Sequence, residues 1–159
     1  MPVIIDGHNL LHSICKAGGD SEALSELQLC WIIGRYLRQS GESGEIIFDG
    51  TGPRDKSGFD NISNLEVFFA GLHSDTDTVI EDKIRVSTAP KRLTIVSSDR
   101  RLRKAAQARK AAVIKSEDFW NNVQKRFRRK KIAKEPAEKY LGLTESETQQ
   151  WLKFFGLEQ

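Results

Sequence analysis

Val3-Ile4-Ile5 runs into Asp6, Ile46-Ile47-Phe48 runs into Asp49, and Leu93-Thr94-Ile95-Val96 runs through Ser97-Ser98 into Asp99. Between the last two lies Asp75-Thr76-Asp77-Thr78-Val79-Ile80-Glu81. Asp77 and Glu81 are four apart, so on a helix they share a face. Like charges at that spacing are mildly destabilising, and a cation or a basic partner would relieve them. Clustered carboxylates raise one another's pKa unless a cation is shared. Hard divalent ions such as Mg²⁺ choose oxygen ligands. The pattern therefore points to a metal-dependent site and, from there, to phosphate-ester chemistry.

The elements that must deliver these acids follow from apolar runs alternating with helical stretches. Short β-branched runs bounded by turn residues predict strands near 2–6, 45–48, 64–70, 92–96 and 112–114. Helices are predicted from Ser21 to about Gln39, from Ser74 or Asp75 to about Thr88, from Asp99 to about Lys110, and from Ser116 to about Arg129. Leu24, Leu27, Trp31 and Leu37, widened by Ile32, Ile33 and Tyr36, supply the first helix's buried stripe. Asp75 is a candidate cap, and Asp82 a surface position. Residues 7–20 read as a turn and a short apolar stretch broken at Gly18-Gly19. Residues 50–60 are rich in turn formers and predict an exposed, mobile loop beside Asp49. This alternation is that of an α/β chain with a mostly parallel sheet, whose ligand crevice lies at the carboxyl ends of the strands.

The chain has 159 residues, 38% hydrophobic and 30% charged, enough for one domain with a real core. No apolar stretch is long enough to span a bilayer. The opening Met1-Pro2-Val3-Ile4-Ile5-Asp6 lacks a charged n-region and a long h-region and reads as a strand, not a signal peptide. Cys15 and Cys30 lack zinc-site spacing and are expected to be buried free thiols, which suits a reducing, cytoplasmic setting. There is no P-loop and no dinucleotide fingerprint. Phe48-Asp49-Gly50-Thr51 invites comparison with the DxDGT motif of haloacid-dehalogenase-like phosphatases, but Ile47 stands where the nucleophilic aspartate is required.

The net charge of +3 conceals a division. Residues 1–99 carry a net −6, residues 100–134 a net +12, and residues 135–159 a net −3. An acidic cluster beside a basic segment suits a polyanion whose phosphates also meet a metal. Arg100, Arg101, Arg103 and Lys104 are candidate backbone contacts, as are Arg126, Arg128 and Arg129 with Lys130. A solvated basic helix is the plainer account of the same residues.

Taken together, Asp6-Gly7-His8-Asn9, Phe48-Asp49-Gly50, Thr76-Asp77-(x)₃-Glu81 and Ser97-Ser98-Asp99-Arg100 resemble the NYN domain of the PIN-like nuclease superfamily, in particular its bacterial YacP-like branch. The resemblance covers about residues 1–120. It implies a Rossmann-like three-layer α/β/α sandwich and a ribonuclease using Mg²⁺ or Mn²⁺. It further implies Asp6, Asp77 and Asp99 as central acids, Asn9 as their polar companion, and Asp49 and Glu81 in support. Ser97 and Ser98 would orient substrate or metal waters. Thr76 stands where this branch often has Ala. RNA is the expected partner, a ribosome or another ribonucleoprotein is a candidate, and a homodimer is left open. Two other readings share these residues: a non-catalytic RNA-binding or adaptor module, and a structure-specific DNA nuclease.

The nuclease domain is expected over 1–130. Residues 131–159 are expected to form a linker and a short helical tail, opened by the capping box Thr144-Glu145-Ser146-Glu147, that packs back on the domain or else docks a partner.

Overall fold

A computed structural model describes residues 2–17 and 24–133, the last five without side-chain detail. Five strands form one parallel sheet: β1 (Pro2–Asp6), β2 (Ser43–Phe48), β3 (Leu65–Phe69), β4 (Thr94–Val96) and β5 (Ala112–Ile114). Their spatial order is β3-β2-β1-β4-β5. The order reverses at β1, which lies between β2 and β4, with Ile5 opposite Ile46 on one side and Val96 on the other. A crevice at the carboxyl end of β1 is the consequence.

Among the described residues six α-helices cover the sheet: α1 (Gly7–Ala17), α2 (Glu26–Ser40), α3 (Ser57–Asp60), α4 (Thr76–Val86), α5 (Arg100–Ala108) and α6 (Ser116–Ala133). The period of two along each strand divides the core. Val3, Ile5, Ile46 and Phe48 pack with Leu10, Ile33, Phe59 and Val123 of α1, α2, α3 and α6. Ile4, Ile47 and Ile95 pack with Ile80, Ile84, Leu102 and Ala106 of α4 and α5. The molecule is thus the expected three-layer α/β/α sandwich.

Several boundaries differ from the expectation for physical reasons. Residues 7–17 are a helix, not a turn. Asp6 caps it, accepting the Asn9 N–H at 3.3 Å, and Leu10 and Ile14 lie one turn apart on its buried face. Gly7 is required there: a Cβ would sit 2.4 Å from Phe48 Cε1 and 2.9 Å from the Ile47 carbonyl. Helix α2 begins at Glu26, where Ser25 and Gln28 form a reciprocal capping box. Its buried line is Leu29, Ile33 and Leu37, spaced by four, and Trp31 falls outside it at 36% exposure. Gly41, at φ 72°, closes the helix. Pro90 opens a 3₁₀ turn, Pro90–Arg92, after α4 has already ended at Ser87. The 50–60 loop is pinned by α3, whose Phe59 is buried against Phe69. Cys30 is buried, and burial pushes its thiol well up, whereas Cys15 is exposed. Helix α6 continues to Ala133, past the expected boundary at 130. The tail elements expected after it lie outside the described residues.

Candidate active site

Asp6 ends the central strand and is buried, with 6% of its surface exposed. Burial is the main reason its carboxyl is raised from 3.8 to about 6. The Asn9 amide works against that shift, the negative charges of Asp77 and Asp49 add to it, and the Ser97 hydroxyl, 3.4 Å from Oδ2, again opposes it. Its two hydrogen bonds, from the Asn9 N–H and the Ser97 hydroxyl, do not offset the cost of that burial.

Asp49 follows β2 and is held differently. Its Oδ1 accepts the Thr76 N–H at 2.9 Å and the Thr76 hydroxyl at 2.8 Å. Burial raises its pKa, but these two bonds and the nearby His8 ring outweigh it, and the carboxyl is lowered. The Asp49 N–H donates to His8 Nδ1 at 3.2 Å, which leaves the neutral ring's proton on Nε2, 3.0 Å from Glu26 Oε1. Just beyond, Gly50 (φ 79°) and Gly71 (φ 87°) join the ends of β2 and β3 through a bridge that turns the chain towards α4.

Asp77, in the first turn of α4, is also raised. Partial burial is the largest cause; the charges of Asp99, Asp75 and Asp49 add to it, and Arg101 opposes it. Asp99 caps α5, its Oδ1 accepting the Arg101 and Leu102 N–H groups. Asp75 caps α4 through the Thr78 N–H at 2.7 Å. Three acids thus cap three helices whose N-termini open on one edge of the sheet, where the helix dipoles favour negative charge.

A hydroxyl and amide network fixes the β4 side of this edge. Asn9 Oδ1 accepts the Ser98 N–H at 2.9 Å and the Ser116 hydroxyl at 2.6 Å. Ser98 Oγ donates to Glu117 at 2.8 Å and accepts the Ser116 N–H at 3.1 Å. Ser97 Oγ accepts the Asp99 N–H at 3.0 Å. Asn9 therefore positions: its amide holds Asp6, and its side chain ties α1 to the β4 end and the α6 start.

A family model of the YacP-like NYN domain matches residues 3–154. The chain belongs to the YacP-like NYN family. Two solved structures of Rae1 (YacP) from Bacillus subtilis share its fold. One aligns with a TM-score of 0.67 at 18% identity, over 98% of this chain and 92% of that one. The other, a point mutant, aligns with a TM-score of 0.60 at 18% identity, over 88% and 89%. Comparison with curated proteins finds no significant match. The family assignment supports a nuclease-type function carried by a PIN-like fold.

Not every residue singled out in this YacP-like sequence reaches the acid edge unencumbered. Glu81 is taken up by Arg101, whose Nε and Nη2 donate to its two oxygens, the latter at 3.0 Å. Arg100 and Lys104 are exposed on α5, and Arg103 is partly buried with its Nε unpartnered. Arg126 lies at the other edge of the sheet, donating to the Gln39 carbonyl at the end of α2 at 2.6 Å. Arg109 donates to the Arg85 and Ser87 carbonyls at the end of α4. Arg128 is exposed, and the side chain of Arg129 lies outside the described residues. The segment of net +12 therefore divides: α5 carries its charges beside the acids, while Arg126 and Arg109 cap helix ends.

Thr76, His8, Ser116 and Glu117 were not among the residues singled out as the site. Thr76 had a visible signal, a hydroxyl directly before Asp77 at a helix start. The others depend on contacts between residues 18 to 107 positions apart, which spacing along one element cannot show.

Among the described residues no three His, Cys, Asp or Glu side chains converge closely enough to enclose a metal ion unaided. Mg²⁺, however, is typically held by one or two carboxylates and completed by water and substrate oxygens. Asp6 and Asp77, both raised and each within reach of other acids' fields, are the donors such a cation would suit.

Proposed function

We propose that this chain is a metal-dependent ribonuclease that cuts within RNA at the carboxyl edge of its sheet. The observation that carries this reading is Asp6: a buried carboxylate at the topological switch point, raised to about 6 and facing the fields of Asp77 and Asp49. Asp6 and Asp77 would hold Mg²⁺ or Mn²⁺, with Asp99 and Asp49 at its margin. When bound, the ion supplies Lewis-acid charge at the scissile phosphate.

The chain's own residues do the rest. The Asn9 amide and the Ser97 hydroxyl fix the orientation of the Asp6 carboxylate. Thr76 and His8 hold the Asp49 segment. Arg100, exposed beside Asp99, is placed to meet the adjoining backbone. RNA as the substrate, and cleavage within the strand, are supported by membership of the YacP-like family.

The test is to incubate purified protein with labelled single-stranded RNA, structured RNA and DNA in Mn²⁺, Mg²⁺ or EDTA. Cleavage of RNA that EDTA stops is expected. Preferential cutting of DNA would favour a DNA nuclease, and RNA retention without cutting under any metal would favour a binding module.

A further inference from the structure

A second concave feature shares a rim with the acids. A cavity of about 760 Å³ opens between α1, the start of α2 and the loop that leads into α3. Leu11, Leu27, Pro53 and Phe59 give it apolar walls, and Glu26 and Asp55 give it two carboxylates. One imidazole separates it from the acid edge: His8 Nε2 is 3.0 Å from Glu26, and His8 Nδ1 is 3.6 Å from Asp49 Oδ2. We propose, building on the ribonuclease reading, that this cavity is a nucleobase subsite that selects a base bearing an exocyclic amino group next to the scissile phosphate.

The chemistry of the walls supports that occupant. Two carboxylates repel a phosphate, so what enters from a nucleic-acid strand is its neutral part. Apolar and aromatic walls suit the flat faces of a base, and unpaired RNA is read by splaying bases into such pockets. A carboxylate only accepts hydrogen bonds. Glu26 uses Oε1 on His8, which leaves it a second oxygen, and Asp55, held by the Ser57 N–H at 3.0 Å and by the Ser57 hydroxyl, is an exposed carboxylate with lone pairs to spare. Adenine, cytosine and guanine present an amino group to such acceptors, and carboxylate recognition of the cytosine amino group is a familiar pairing. Uracil presents carbonyls flanking a single imino N–H, and its carbonyl oxygens would face negative charge. Arg54 and Lys56, exposed on the same loop, are placed to take the phosphates that the cavity excludes.

The experiment is a set of short single-stranded RNAs in which one base at a time is A, C, G or U. Equilibrium binding is measured with the Asp6→Asn protein in Mg²⁺, and single-turnover cleavage with the wild type. One position close to the cut is expected to disfavour uridine about tenfold in binding. The double variant Glu26→Gln, Asp55→Asn should reduce that ratio to near one, and Leu27→Trp, which intrudes on the cavity from its apolar wall, should lower it as well. Equal binding of all four bases at every position, or a ratio unchanged in both variants, would overturn the subsite. A uridine penalty that survives in binding while the wild type cuts no RNA in Mg²⁺ or Mn²⁺ would sustain the subsite and overturn the ribonuclease reading instead.

Discussion

The two edges of this sheet treat charge in opposite ways. At the amino edge, Lys83 meets Glu45 at 3.0 Å and lies 4.4 Å over the Phe68 ring, Arg109 caps α4, and Arg126 caps α2. Each of these cations has an acceptor or a ring beneath it. At the carboxyl edge, Asp6 and Asp77 face other carboxylates, and both are raised, chiefly by burial. An unrelieved carboxylate pair costs stability, and a fold has no structural use for that cost. At the carboxyl edge Asp49, Asp99 and Glu81 have their partners, and Asp6 and Asp77 are the acids left raised, which is where the proposed cation would act. A cavity of about 650 Å³ at the amino edge also has carboxylates in its lining, Glu45, Asp60 and Glu66, but there Lys83 meets Glu45 at 3.0 Å.

This contrast can be broken most forcefully at Asp77. Asp77→Asn should lower RNA cleavage at least about a hundredfold while the circular dichroism spectrum stays that of the wild type. A loss of less than about threefold would remove Asp77 from the site.

The positioning network gives the next largest effect. Asn9→Ala strips the acceptor from the Ser98 N–H and the Ser116 hydroxyl and should cost about 1–3 kcal/mol in denaturant unfolding. Asn9→Asp, which keeps the acceptor oxygens, should recover most of that stability but add charge beside Asp6 and raise its pKa further. If Asn9→Ala unfolds at the wild-type midpoint, the network holds nothing together.

Acidity sharpens the comparison without any substrate. Folding raises the Asp6 carboxyl from 3.8 to about 6, so the folded state binds that proton more tightly than the unfolded chain. The sign follows: this contribution to stability is greatest below 3.8, falls as pH rises between the two values, and is gone above about 6. In EDTA the wild type should therefore lose up to about 3 kcal/mol across that window. Asp6→Asn, which keeps the acceptor for the Asn9 N–H, should flatten the profile and be the more stable protein at pH 7. Urea unfolding at several pH values reads both, and parallel profiles for the two proteins would contradict a raised Asp6.

Charge on the two edges should also separate in binding. Arg100→Ala should weaken RNA affinity and reduce the salt slope by about one counterion, whereas Arg126→Ala should leave the slope unchanged because that side chain is spent on the end of α2. Equal slopes for the two variants would mean that RNA extends across both edges. The smallest effect belongs to Lys83→Met at the amino edge. It should change stability by no more than about 1 kcal/mol and leave cleavage as it is.

How much of this was readable beforehand depends on the range of the interactions. The five strands were legible because β-branched runs bounded by turn residues carry their own signal, and the acids were legible because they end those runs. The caps at Asp75 and Asp99 are likewise local events within three residues. Helix α1 was missed because Asp6 serves at once as the last strand residue and as the cap, leaving Gly7 and His8, weak helix formers, at the start. The basic segment is legible only in part for a related reason. Charge counts reveal how many cations there are, but not that Arg101, Arg109 and Arg126 spend theirs on Glu81 and on helix ends far away in sequence. The order of the strands, which decides that Asp6 lies between Asp49 and Asp99, emerges only from the closed sheet.

The most direct measurement is single-turnover RNA cleavage by the wild type and by Asp6→Asn, side by side, in saturating Mn²⁺ and at pH 7. The wild type should cut, and the variant, equally folded and binding RNA at least as well, should show no cutting above the EDTA blank. Wild-type turnover by Asp6→Asn, or cutting by the wild type that EDTA does not stop, would contradict the account of this edge as a metal-dependent nuclease site.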